Sequence, residues 1–268
     1  MGNRETHVDR DGEITTEGVV GTFVNAWALM TGRYAGASQQ RGGGVAATFS
    51  QTVCPFLNMA TLDQSLTDPG AVAAAIDVAR GHASRCPHGS MVAICGDWAP
   101  ADWQVIAADA GLAAGMTITG MATDSFSSPR HPEPALDFRL IEDVATGHDL
   151  GVVNALAYGM PPELFAPTAE PALWQGHSFG FVGYDGSNAV TASAAFATDE
   201  MIYIAFVASL PGLQGRGYAE GTMRRAIAAA EQAVGPKRLW LHASDRGHLL
   251  YGSMGFEAGA VLQTWQFA

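Results

Sequence analysis

The sequence predicts an α/β (α+β) protein of two domains, and three observations carry that reading. Strand-like and helix-like segments alternate along the whole chain. At 268 residues the chain is long for one domain and fits two of ordinary size. A single proline-dense stretch, residues 127–135 (Ser-Ser-Pro-Arg-His-Pro-Glu-Pro-Ala), interrupts the alternation. The boundary falls there, giving domains at 1–130 and 131–268. A chain of this length buries roughly 75% of its unfolded surface, so no disulfide or metal staple is required.

In the first half, apolar periodicity predicts a helix over Val19–Met30 and strands over Val45–Val53 and Phe56–Leu62. Helix follows at Pro69–Arg80, strand at Ser90–Cys95, helix at Ala101–Ala114 and strand at Met116–Ala122. In the second half, Leu136–Ile141 alternates like a strand. Ala145–Tyr158 reads as a helix with Val152, Val153, Leu156 and Ala157 on one face. Pro161 and Pro162 open a short helical region reaching toward Trp174. Ser178–Tyr184, a turn at Asp185-Gly186 and Ala189–Ala197 read as a hairpin. Met201–Val207 is an apolar strand, Gly217–Ala233 an alanine-rich helix, Lys237–Ser244 a buried strand and Arg246–Gly255 a short helix.

The turn between that strand and the alanine-rich helix carries chemistry. Gly215 and Gly217 lack a Cβ, so the backbone can take positive φ and approach a ligand closely. Amides from Gly215 to Ala219 then converge at a helix N-terminus, where the dipole favours an anion. This is a phosphate cradle. It is no Walker loop, because no Lys-Ser/Thr follows, and its glycine spacing is not the dinucleotide fingerprint. Downstream, the short helix carries Leu250 and Tyr251 and ends at Gly255-Phe256.

With these residues the chain resembles the GNAT superfamily of acyl-CoA-dependent N-acyltransferases. The family's pyrophosphate motif, Gln/Arg-x-x-Gly-x-Gly/Ala, is met by Gln214, Gly217 and Ala219. Its Leu-Tyr-x-x-x-Gly-Phe signature is met by Leu250, Tyr251, Gly255 and Phe256. The resemblance implies two GNAT-like domains, each a mixed, mostly antiparallel twisted sheet flanked by helices. The first half repeats the order without either motif, as a degenerate unit would.

The resemblance also implies an acetyl-CoA-dependent N-acetyltransferase, working on a small amine by direct transfer in a ternary complex. Alternatives are another acyl donor (a longer acyl-CoA or an aminoacyl-tRNA), or a non-catalytic acyl-CoA-binding module. The backbone of a splayed strand end at Val207, Ala208 and Ser209 would take the pantetheine arm. Gln214, Gly215, Arg216, Gly217, Tyr218 and Ala219 would hold the phosphates. Ser244, where relatives often carry Asn, and His248 are further cofactor candidates. Tyr251 matches the family's general acid for the departing thiolate. His242, two residues before Ser244 on the same strand face, is a candidate base suited to an amine; Glu200, at the start of the cofactor strand, is the other.

Composition bounds the rest. The net charge of −12 disfavours nucleic acid as a partner and tRNA as a donor. It does not exclude CoA, because charges beyond about 8 Å are screened at physiological salt whereas the loop amides and Arg216 touch the phosphates directly. Three cysteines, no long apolar run and a polar N-terminus lead to the expectation of a cytoplasmic, membrane-free protein, monomer or homodimer. Met1–Thr6 formally fits a myristoylation pattern, read instead as a cytosolic leader. His82, Cys86, His88 and Cys95 lack a paired Cys-x-x-Cys and are not read as a metal site. Cys54 and Cys95 read as small apolar strand residues. Trp27, Trp98, Trp103 and Trp174 are candidates for lining an acceptor pocket between the halves.

Overall fold

The computed structural model describes residues 12–267; the Met1–Thr6 pattern lies outside them. Helix α1 (Thr16–Thr31) starts where Thr15 Oγ1 accepts the Gly18 amide at 3.1 Å. Strands β1 (Ser38–Gly42), β2 (Val45–Phe49) and β3 (Asn58–Leu62) follow, then α2 (Pro69–Ala83), β4 (Met91–Cys95), α3 (Trp103–Asp109) and β5 (Leu112–Thr123). The second series is β6 (Asp137–Leu140), α4 (Val144–Tyr158), β7 (Ser178–Asp185), β8 (Asn188–Ala197), β9 (Met201–Ser209), α5 (Tyr218–Val234), β10 (Arg238–Ser244), α6 (Asp245–Ser253) and β11 (Glu257–Phe267). Two 3-10 segments, Pro162–Ala169 and Pro171–Trp174, fill the region after α4.

The sequence reading differs at a few places, each with a physical cause. Strand β1, Ser-Gln-Gln-Arg-Gly, has no apolar alternation because it is an exposed edge, paired only with β2. Helix α3 stops well short of Ala114: Gly111, at φ +77°, breaks it and β5 begins at Leu112. The β7–β8 turn uses Gly186, at φ +61°, and Ser187. Cys95 closes β4, but Cys54 lies in the loop ahead of Pro55; both are buried and neither forms a disulfide.

Packing divides the chain into two compact units. One holds the described residues up to Gln51, Pro55–Asp124 and those from His242 onward; the other holds Thr52–Cys54 and Ser125–Leu241. The chain thus passes out of the first unit close to the proline-dense stretch and re-enters it within β10. In the first unit the strand order is β1-β2-β3-β4-β11-β5. All its pairs are antiparallel except β3–β4, which α2 connects. In the second, β9 pairs parallel with β10 across α5, while β6–β7, β7–β8 and β8–β9 are antiparallel. Each unit is therefore a mixed, mostly antiparallel sheet flanked by helices.

After β6, the second series repeats the order of the first: helix, three strands, helix, strand, helix, strand. Both place their parallel pair across the second helix, because only a crossover helix can join parallel neighbours. In the first unit Val72, Ala75, Ile76 and Ala79 of α2 pack on Val45, Ala60 and Val92. In the second, Leu150 and Val153 of α4 pack with Val182, Tyr184 and Ala192.

Candidate functional site

Strand β9 is bent at its centre. Ala192 pairs with Ala208 and Ala194 with Ala205, so one β8 residue, Ser193, stands opposite Phe206 and Val207 together. This is a β-bulge. Phe206 takes φ +55°, a left-handed conformation that costs on the order of 1–3 kcal/mol in a residue other than glycine. Its carbonyl accepts from Asn154 Nδ2 of α4 at 3.1 Å. Its ring joins an aromatic set, 6.3 Å from Phe196, which stacks in turn on Trp174 at 6.1 Å.

Beyond the bulge the chain turns through Gly212, Gly215 and Gly217, at φ +82°, +76° and +76°. A side chain at Gly215 would meet nothing, so the loop is open there. Gln214, Gly215 and Arg216 are exposed; Gly217, Tyr218 and Ala219 are half-buried. Gly217 is the N-cap of α5 and no side chain caps the helix. The first-turn amides of a 17-residue helix are thus left for an outside acceptor. The residues present fit a phosphate group.

Buried hydroxyls pin both ends of this loop. Thr191 of β8 donates to the Ala208 carbonyl at 2.8 Å and accepts from Ser209 Oγ at 3.1 Å. Thr222 of α5 donates to the Tyr218 carbonyl at 2.9 Å and lies 3.3 Å from Thr191. The Ser209 side chain is consequently turned inward, and only its backbone remains for a ligand. Glu220, buried in the first turn of α5, is matched by Arg224 at 2.9 Å, which offsets its charge beside the cradle. The proline-dense stretch packs here: His131 lies against Gly217, Arg224 donates to the Ser127 carbonyl, and Arg225 pairs with Glu133.

The corresponding place in the first unit, between β3 and α2, is built differently. Residues 63–68 contain no glycine, and the Asp68 carboxylate accepts the Ala71 amide at 3.0 Å. Helix α2 carries its own anion where α5 is open. An arriving phosphate would meet a negative charge and one amide fewer.

The remaining candidates are distributed as follows. Glu200 is exposed in the β8–β9 turn, its amide donating to Thr198 Oγ1 at 3.2 Å. In the first unit, His242 lies on β10 with its ring edge-on to Phe23 at 4.8 Å. Burial lowers its pKa to about 3, against a smaller opposing effect from a hydrogen bond to the Val19 backbone. Ser244 is the N-cap of α6 but makes no capping bond, and His248 is half-buried. Tyr251 is buried, its ring so close to Gly247 that a Cβ there would come within 2.7 Å of it, and its centroid 6.0 Å from that of Phe256. Three of the tryptophans make contacts within their own units: Trp27 donates to the Phe56 carbonyl at 2.6 Å, Trp174 to the Thr168 carbonyl at 2.7 Å, and Trp103 meets Trp265 edge-on; Trp98 is half-buried. Among the described residues no group of three or more His, Cys, Asp or Glu could hold a metal, and no helix is long and apolar enough to cross a membrane.

Asn154 and Phe206 escaped the sequence reading. The signal for Asn154 was the single amide of α4, set in the apolar run of residues 150–156. Nothing in the apolar run of β9 announces the bulge.

A glycine-turned, uncapped helix following a bulged strand defines a class. Residues 155–256 match the acetyltransferase (GNAT) family model. The fold is shared with a GCN5-related N-acetyltransferase from Kribbella flavida, at 15% identity and TM-score 0.68 over 93% of this chain and 95% of that one. A functionally unknown conserved protein from Staphylococcus epidermidis aligns at 14% identity and TM-score 0.62, covering 87% and 95%. A GCN5-related N-acetyltransferase from Sphaerobacter thermophilus aligns at 14% and 0.55, covering 83% and 76%. No curated protein matches the chain by sequence. The chain has the GNAT fold, and its residues 155–256 match the family model.

Proposed function

We propose that this protein is an acetyl-CoA-dependent N-acetyltransferase for a small amine, with its cofactor site in the second half and a degenerate first half. The observation that carries the reading is the bulged β9 leading through three left-handed glycines to the uncapped N-terminus of α5. Acetyl-CoA supplies the acyl thioester. The amides from Gly215 to Ala219, with Arg216, hold its phosphates. The bulge takes backbone at Phe206 and Val207 out of regular pairing with β8, where it can orient the thioester carbonyl. Transfer would form the amide as the carbon–sulfur bond breaks, and Tyr251 is the residue assigned to protonate the departing thiolate.

The amine must also lose a proton. A histidine held neutral down to about pH 3, as His242 is, is too weak a base to take one from an ammonium group. Glu200, solvent-exposed at the start of the bulged strand, is the better assignment, acting through water.

The test is thiol release from acetyl-CoA across a panel of small amines, with Tyr251→Phe as the discriminating variant. That change keeps the ring and its packing. The expected loss in kcat is about 10²–10⁴-fold, the range for one acid–base group, with CoA affinity unchanged. Full turnover by Tyr251→Phe removes the assigned acid. Silence of the wild type toward every amine, with CoA still bound, leaves a binding module.

A further inference from the structure

Asn154 is the one polar residue among the buried side chains of α4, whose others are Gly147, Leu150, Gly151, Val153 and Ala155. It is 1% exposed, so its amide has exchanged water for protein partners. Nδ2 donates twice, to the Leu150 carbonyl of its own helix at 3.0 Å and to the Phe206 carbonyl of β9 at 3.1 Å. Oδ1 is buried and accepts nothing. Core packing alone gives no reason for this arrangement: an apolar side chain there would avoid the unpartnered oxygen altogether. Its hydrogen bond beyond its own helix goes to Phe206, the residue of β9 with positive φ.

We propose that Asn154 is a positioning residue for acyl transfer. The bulge takes the Phe206 carbonyl out of regular pairing with β8, and Asn154 supplies a donor in place of the ladder. That bond holds Phe206 in its left-handed conformation and so fixes the Phe206–Val207 backbone on which the thioester carbonyl is oriented. The phosphate cradle is pinned separately, by Thr191, Ser209 and Thr222. Binding and turnover therefore separate: Asn154 governs the second and leaves the first alone. The inference rests on the transferase reading above.

Asn154→Leu keeps the branching of the side chain, at a larger volume, and removes the donor; Asn154→Asp, equal in shape and unable to donate when ionised, carries the same test should the leucine variant not fold. Three quantities are measured on the full chain: kcat for an amine that the wild type acetylates, the Kd for CoA by calorimetry, and amide hydrogen exchange along β9. Expected are a fall in kcat of about 10²-fold, the scale set by an ångström of misplacement, an unchanged Kd, and faster exchange confined to the bulge. Lowered thermal stability with kcat intact, or a kcat loss matched by equal loss of CoA affinity, overturns the proposal. Wild-type inactivity toward every amine refutes the transferase reading instead, and exchange at Phe206 and Val207 still decides whether Asn154 holds the bulge.

Discussion

The imidazole of His242 shows how burial redirects a side chain that sequence alone presents as a base. Its ordinary pKa of 6.5 falls to about 3 because the ring is packed against α1 beside Phe23. The unfolded chain therefore takes up a proton at a higher pH than the folded one. Stability from this residue is complete above about pH 6.5 and is lost as pH falls toward 3. Urea unfolding at pH 7.5 and pH 5 measures it: His242→Gln should lose about 2 kcal/mol less than the wild type between the two. Equal losses would mean that the ring is not enclosed. What sequence gives at this scale is residue type and spacing, which single out Gln214, Gly217, Ala219 and Tyr251 as candidates. It does not give environment: nothing in the residue type says that the Ser209 hydroxyl turns into a cluster with Thr191.

Among the elements, the two crossover helices form a natural experiment. Helix α5 opens on a left-handed glycine with no capping side chain, and α2 on Asp68, whose carboxylate already holds an amide. The full chain should therefore bind one CoA by calorimetry, not two. Gly217→Asp, which places a carboxylate at the mouth of α5 and a Cβ 3.1 Å from His131, should abolish the thermal stabilisation that CoA gives by mass action. A second equivalent of CoA, or an unaltered shift in the folded variant, would refute this account. The glycine loop was legible because φ constraints write themselves into composition. The bulge was not, because its cause lies on another element: Asn154 and Phe206 are 52 positions apart.

For the whole molecule, the alternation of strands and helices was readable, yet the placement of β11 was not. It lies between β4 and β5, pairing antiparallel with both, and Val92↔Trp265 and Thr119↔Val261 are registers that no local pattern announces. A chain truncated before Glu257 should thus lose hydrogen-exchange protection in β4 and β5; protection equal to that of the intact chain would show that the first unit closes without β11. The same placement sets an order of events during synthesis. Strand β5 ends at Thr123 and β11 at Phe267, so at about 5–20 residues per second roughly 7–30 s pass between them on the ribosome. Through that interval the edges that β11 will join stand unpaired, exposed to wrong partners. The first half to emerge is thus the last to finish folding, and a chaperone that shields β-edges would act on the nascent chain before the cofactor half has appeared.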